Sequence, residues 1–185
     1  MNIQNKAMLV NLHIKGWTGV KLDRDVSTRI DSEYQSMDGG KYQKNIIAKD
    51  ELSEIKKLQS ETRRYFRDNT LPWDNSGARL LPTAHYFEFI RIMNELKTKI
   101  KKSEDRFIQA YPQLKTQAAI RLGKMYKMDD YPPVEEVKDK YHFEMEINAI
   151  PVSKDIRFSL SDSEVTKIRN DIDSRTRLRI QSAVT

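Results

Sequence analysis

The chain of 185 residues contains no cysteine. That absence excludes a disulfide scaffold, a thiolate metal site and a cysteine nucleophile, and it accords with a reducing compartment. Long apolar runs are missing too. No segment approaches the ~18–20 apolar residues of a membrane span, and Met1 to Lys6 are polar and lack an apolar signal core. A cytoplasmic protein with no membrane partner is therefore expected. Glycine is scarce, and Gly39-Gly40-Lys41 has neither the preceding strand nor the spaced glycines of a phosphate loop. Ser76-Gly77 lacks the Gly-x-Ser context of a nucleophile elbow. The three histidines, His13, His85 and His142, form no His-Glu-x-x-His pair. The expectation is a non-enzyme with no catalytic residue, no metal and no cofactor.

Charge is abundant. Lys and Arg number 33 against 27 Asp and Glu, a formal charge of +6, and the isoelectric point is near 9.4. Apolar residues are only 38% of the chain and charged residues 32%, with a mean hydropathy of −0.74. One domain of this length can bury a core, but the low apolar share suits an elongated helical shape with much solvated surface.

Periodicity orders the elements. Val10, Leu12 and Ile14 alternate with Asn11, His13 and Lys15, the pattern of a half-buried strand. Gly16 and Gly19 mark a turn after it. Asp23 or Asp25 caps a helix to about Ser36, with Val26, Ile30, Tyr34 and Met37 as its apolar stripe and Asp38-Gly39-Gly40 as its end. A second helix spans 50–67. Residues 69–82 hold two prolines and a glycine and read as an ordered loop packed on the body. The third helix is the longest. Phe89, Met93, Leu96, Ile100, Ser103, Phe107, Ala110 and Leu114 recur at alternating spacings of four and three, a coiled-coil seam broken only by Ser103. Pro112 predicts a kink or stop at Tyr111, with a helical continuation to Met125. Tyr141, Phe143, Met145 and Ile147 alternate with polar residues as a strand, and Ile156, Phe158 and Leu160 extend it to a hairpin over 141–160. Ser161 and Glu164 form a capping box for a last helix.

The fold class expected is α+β and mostly helical. A long antiparallel coiled-coil-like helical hairpin carries a small antiparallel β-sheet at its base and a basic C-terminal helix. The whole of 1–185 is read as one domain, with 8–22 and 141–160 as the sheet base, 23–130 as the helical arm and 161–185 as the C-terminal helix. Pro132-Pro133 is the best candidate junction between arm and base.

Two sets of residues are candidates for binding. Lys97 and Lys101 on the long helix, with Arg169, Arg175, Arg177 and Arg179 on the last, would track phosphates if their faces converge. The competing reading is that these cations solvate a coiled coil beside its acids. Trp73, Asp74 and Arg79 on the 69–82 loop would make a partner-binding knob, since Trp and Arg are enriched at interface hot spots. Alternatively, Trp73 plugs the tip of the helical hairpin. Glu144 and Glu146 share a strand face and could hold Mg²⁺ in a nuclease, but one charged strand face accounts for them more simply.

Val10-Asn-Leu-His-Ile-Lys-Gly-Trp-Thr-Gly-Val-Lys-Leu22, then Trp73-Asp-Asn-Ser-Gly-Ala-Arg-Leu-Leu-Pro82 after a helix, and Tyr111-Pro112 in the long helix, together resemble a phage and mobile-element family of unknown function. Its members are encoded beside a MoxR-type AAA+ ATPase and a von Willebrand A-type protein. The resemblance covers about residues 8–150. It implies helical arms, a phage or mobile-element origin and no enzyme activity, and it carries no functional residue. The expected function is that of a phage-encoded, non-catalytic accessory protein in the host cytoplasm that binds nucleic acid or a nucleic-acid-handling complex. The alternative is an oligomeric adaptor or inhibitor, a partner of an ATPase or of a host defence complex, that self-associates through the third helix.

Overall fold

The computed structural model describes residues 6–73, 77–150 and 162–184. They are mostly helical, with a small antiparallel sheet. In chain order the elements are β1 (Ala7–Lys15), β2 (Val20–Leu22), α1 (Arg24–Tyr34), β3 (Gln43–Asn45), α2 (Ser53–Asp68), β4 (Leu71–Pro72), β5 (Arg79–Pro82), α3 (Tyr86–Leu122), α4 (Val134–Asp139), β6 (His142–Asn148) and α5 (Asp162–Val184). Short 3₁₀ turns join several of them. The chain divides into two compact units along lines other than arm and base. One unit comprises residues 1–13, 61–97 and 143–185, the other residues 14–60 and 98–142.

The first unit is built on a sheet of order β4-β5-β1-β6. Antiparallel pairing sets Met8 opposite Leu81 and Leu9 opposite Leu80, and β4 pairs with β5 through Leu71 and Leu80. The strand reading of β1 holds, but the half-buried reading needs correction. Leu9 is buried as well as Val10, and neighbours along a strand point to opposite faces. Val10 and Leu81 pack on Phe66, Phe89 and Met93, whereas Leu9 and Leu80 pack on Trp73, Ala78 and Ile150. Both faces are thus covered. The 69–82 segment, read as a loop, contributes β4 and β5 with the prolines at strand ends, where a missing N–H costs least. The second strand expected at 156–160, and Ser161 of the capping box, lie outside the described residues.

The second unit gathers Ile46, Ile47, Leu52, Ile55, Phe107, Tyr111, Tyr131 and Val137 into one core. Trp17 lies edge-on to Tyr111 at 5.6 Å between ring centres. Gly19 makes the turn into β2 with φ +67°, and its carbonyl accepts from Ile46 and Ile47 N–H. A Cβ there would meet Leu52 Cδ1 at 2.8 Å, so glycine is required by space as well as by conformation.

The long helix runs 37 residues and passes through Pro112 without stopping, so of the kink or stop expected at Tyr111 the stop does not occur and the helical continuation does. Its seam is buried from Phe89 to Phe107, Ser103 included. Beyond that point the predicted Ala110 and Leu114 are only half-buried, and Tyr111 and Ala118 take the core positions. A straight helix drifts about 20° per heptad against a 3.5-residue seam, so the contact line moves on by one residue. The helix ends at Leu122, where Gly123 takes a left-handed conformation.

Candidate interaction surface

The predicted cationic residues are mostly occupied within the chain. The Lys97 ammonium sits over the Phe143 ring at 5.5 Å. Lys101 pairs with Asp105 at 2.9 Å, and Arg175 pairs with Asp171 at 3.0 Å. Arg179 lies over the indole of Trp73 at 5.6 Å, a contact that joins the two predicted sets. Arg169 and Arg177 are exposed on α5. Residues two apart on a helix are rotated by about 200°, so Arg177 faces away from Arg175 and Arg179. Acids balance the helix: Asp162, Glu164, Asp171 and Asp173 stand against Lys167 and the four arginines.

Trp73 is 5% exposed and belongs to the sheet core, so the structure presents it as a plug and not as a surface knob. Asp74 lies outside the described residues. Arg79 closes the end of α2. Its Nη2 donates to Thr70 O at 2.6 Å and Arg67 O at 3.1 Å, and its Nε donates to Thr70 Oγ1 at 2.6 Å. The last carbonyls of a helix lack intrahelical donors and attract cations. Burial and nearby Arg67 lower the Arg79 pKa from its usual value.

A charged network missed by the sequence reading lies in the second unit. Lys44 is 2% exposed and reaches Asp130 Oδ2 at 2.6 Å and Asp23 Oδ2 at 3.0 Å. It also donates to Met125 O at 2.8 Å. Burial works against the ammonium, but the two carboxylates carry its pKa above the usual lysine value. The hydrogen bond from Lys44 holds the Asp23 carboxyl below the usual aspartate range. Asp130, in the turn before Tyr131, is one arm of this triad. Beside it opens a groove of about 380 Å³ walled by Trp17, Tyr131, Pro132, Asp129 and Glu136. Lys140 pairs with Glu136 at 2.8 Å. Among the described residues no cluster of three His, Asp or Glu is placed to hold a metal ion.

Asp23 also begins α1. Its Oδ1 accepts from Val26 N–H at 3.2 Å, which makes Asp23, of the two candidates Asp23 and Asp25, the N-cap. The end of α1 differs from expectation. Gln35, not the Asp38-Gly-Gly run, takes the left-handed position with φ +51°. Ser36 N–H then donates to Asp31 O, and Gly39 N–H to the Asp31 carboxylate. Lys127 pairs with Asp25, and Tyr42 N–H donates to Ser27 Oγ. Polar contacts thus pin this helix along its length, yet it buries no residue. Of the apolar stripe read from sequence, Val26 is half-buried and the rest is outside. Ile30 is exposed, Tyr34 is 74% exposed and Met37 is wholly in solvent, with Leu22 and Tyr42 also exposed nearby in sequence.

A mostly helical α+β protein with a surface helix that buries no residue is the class these features define. The chain belongs to the family described as "Protein of unknown function (DUF3150)", which matches residues 4–177. No curated protein and no solved structure matches it. Among the described residues no helix is long and apolar enough to cross a membrane.

Proposed function

We propose that this chain is a non-catalytic protein-interaction module that docks through the apolar stripe of α1. One observation carries the reading: five polar contacts hold α1 in place although it buries no residue. Most helices of this length owe their stability to packing of an amphipathic face. A clustered apolar surface that the fold holds rigid marks an interaction site. An antiparallel coiled-coil-like pairing of α2 with α3 would serve as the scaffold behind it. The resemblance to proteins encoded beside an AAA+ ATPase accords with a docking role in an assembly. Nucleic-acid binding ranks below this reading, because Lys97, Lys101, Arg175 and Arg179 are all engaged within the chain.

A photoreactive phenylalanine placed at Met37 or Tyr34 of the full chain, illuminated in the cells that make it, tests the reading. Discrete protein adducts are expected from both positions and none from Thr28, which lies on the far side of α1. Equal labelling from all three positions, or none from any, would overturn it.

A further inference from the structure

Resting on that reading, we infer that the occupant of the α1 stripe is a second copy of this chain, packed antiparallel about a two-fold axis near Ile30. The argument is charge complementarity. Successive helix residues turn by about 100°, so Val26, Ile30 and Tyr34 share one line along α1. Arg29 and Glu33 lie together along one flank of that line. Both are exposed, and neither has an ion pair or hydrogen bond among the described residues. They differ in this from Asp25, which is paired with Lys127, and from Asp31, which accepts from Gly39 N–H. The two charges beside the apolar line are thus the ones that the chain leaves unused.

Geometry then chooses the partner and its direction. An isologous contact sets the same patch against itself. In an antiparallel pair about a perpendicular two-fold, each flank meets its own copy with the order of residues reversed. Arg29 therefore meets Glu33 of the second copy, and Glu33 meets Arg29. The same axis sets Ile30 against Ile30 and Val26 against Tyr34, which keeps the apolar line continuous. A parallel pair would instead bring the Arg29–Glu33 flank against the Ser27–Asp31 flank, where Asp31 lies midway between Arg29 and Glu33, attracted by one and repelled by the other, so only the antiparallel pair gives both charges an opposite partner. Tyr34 and Met37, the most exposed apolar residues of the segment, supply the anchors, and aromatic and Met side chains are enriched in such interfaces. The third helix is not the route to self-association expected from sequence, because its seam from Phe89 to Phe107 is already buried in the single chain.

One helix face makes a small contact, so the dimer is weak, with a Kd on the order of 1–100 µM. Sedimentation velocity of the full chain across that range tests it. A concentration-dependent monomer–dimer equilibrium is expected. Arg29→Glu and Glu33→Arg each turn two attractive pairs per dimer into repulsive ones and should raise Kd about tenfold. The double variant Arg29→Glu/Glu33→Arg restores both pairs and should return Kd to the wild-type value. Tyr34→Asp/Met37→Asp should leave a monomer, with circular dichroism unchanged because both side chains are exposed.

A strict monomer at every concentration overturns the inference, as does a dimer that ignores Tyr34→Asp/Met37→Asp. Failure of the double charge swap to restore association overturns the antiparallel arrangement. The outcomes separate this inference from the reading beneath it. Adducts from Met37 to a different protein, with no dimer in sedimentation, would remove the second copy and leave the docking stripe standing. The absence of both adducts and dimer would remove both.

Discussion

A lysine leaves water at tolerable cost only when carboxylates replace its hydration, and Lys44 has two. Lys44→Met would leave Asp23 and Asp130 buried without their cation, a change of the kind that costs on the order of 3–5 kcal/mol. A marked drop in the urea midpoint near neutral pH is the expected result. The pH dependence follows from the same pair. Asp23 titrates below its ordinary 3.8 in the fold, so its contribution is present above that value and is lost as pH falls through its folded pKa. Lys44 titrates above its ordinary 10.5, so its contribution is full below that value and is lost as pH rises through the folded pKa. Wild type should therefore weaken in acid, and its margin over Lys44→Met should shrink as the carboxyls protonate. A margin that stays constant down to acid pH would show that the triad does not hold this corner of the fold. Arg79 is a second residue whose role the structure redirects. Arg79→Ala removes three donors from the end of α2 and should cost about 1–3 kcal/mol of stability, read as a lower thermal midpoint. A variant that melts like wild type would return Arg79 to the surface-contact role expected from its sequence context.

At the scale of elements, Pro112 sits inside α3, where a proline removes one backbone hydrogen bond and its ring crowds the preceding turn. The site is exposed, so Pro112→Ala restores the bond without disturbing the core. It should raise stability by about 1–3 kcal/mol, and an unchanged or lower thermal midpoint would mean the helix is shaped around the proline. The elements that the sequence disclosed are those with long, clean periods. The Phe89–Phe107 seam, the β1 and β6 strands and an aspartate cap at the start of α1 stand, because each repeats a local rule of backbone geometry that needs no knowledge of what covers it. Short elements were not legible: β2, β3, β4 and β5 have two to four residues each, too few to show a period of two. Which faces are covered was not legible either. Leu9 is out of phase with the Val10–Leu12–Ile14 alternation, and Trp73 and Ile150 cover it on the second sheet face; a helical period likewise does not say whether anything covers the α1 stripe. The Lys44 triad joins residues 23, 44 and 130, and a charge run carries no sign of such a meeting.

The molecule as a whole contains two tryptophans, and they fall in different units. Trp17 packs on Phe107 and Tyr111 in the second unit, and Trp73 packs beside Leu9 and Leu80 in the first. The chain passes between the units four times, and the divisions at 60/61 and 97/98 fall inside α2 and α3. Each unit therefore depends on helical segments whose other halves belong to its neighbour. If one unit lost its core, half of α2 would remain in the other as a segment of eight residues, and isolated helices shorter than about 12–15 residues are marginal in water. Loss of either core should for that reason propagate along α2 and melt the chain as one cooperative system. Trp73→Phe leaves Trp17 as the sole indole and reports the second unit, and Trp17→Phe reports the first. In each variant the fluorescence transition and the far-ultraviolet circular dichroism transition should share one midpoint, the ordinary test of two-state behaviour. Either substitution lowers that midpoint by trimming a packed side chain, but the lowering must appear in both signals together. An indole signal that moves before the helical signal in one variant, and with it in the other, would show that the continuity of α2 and α3 does not couple the units.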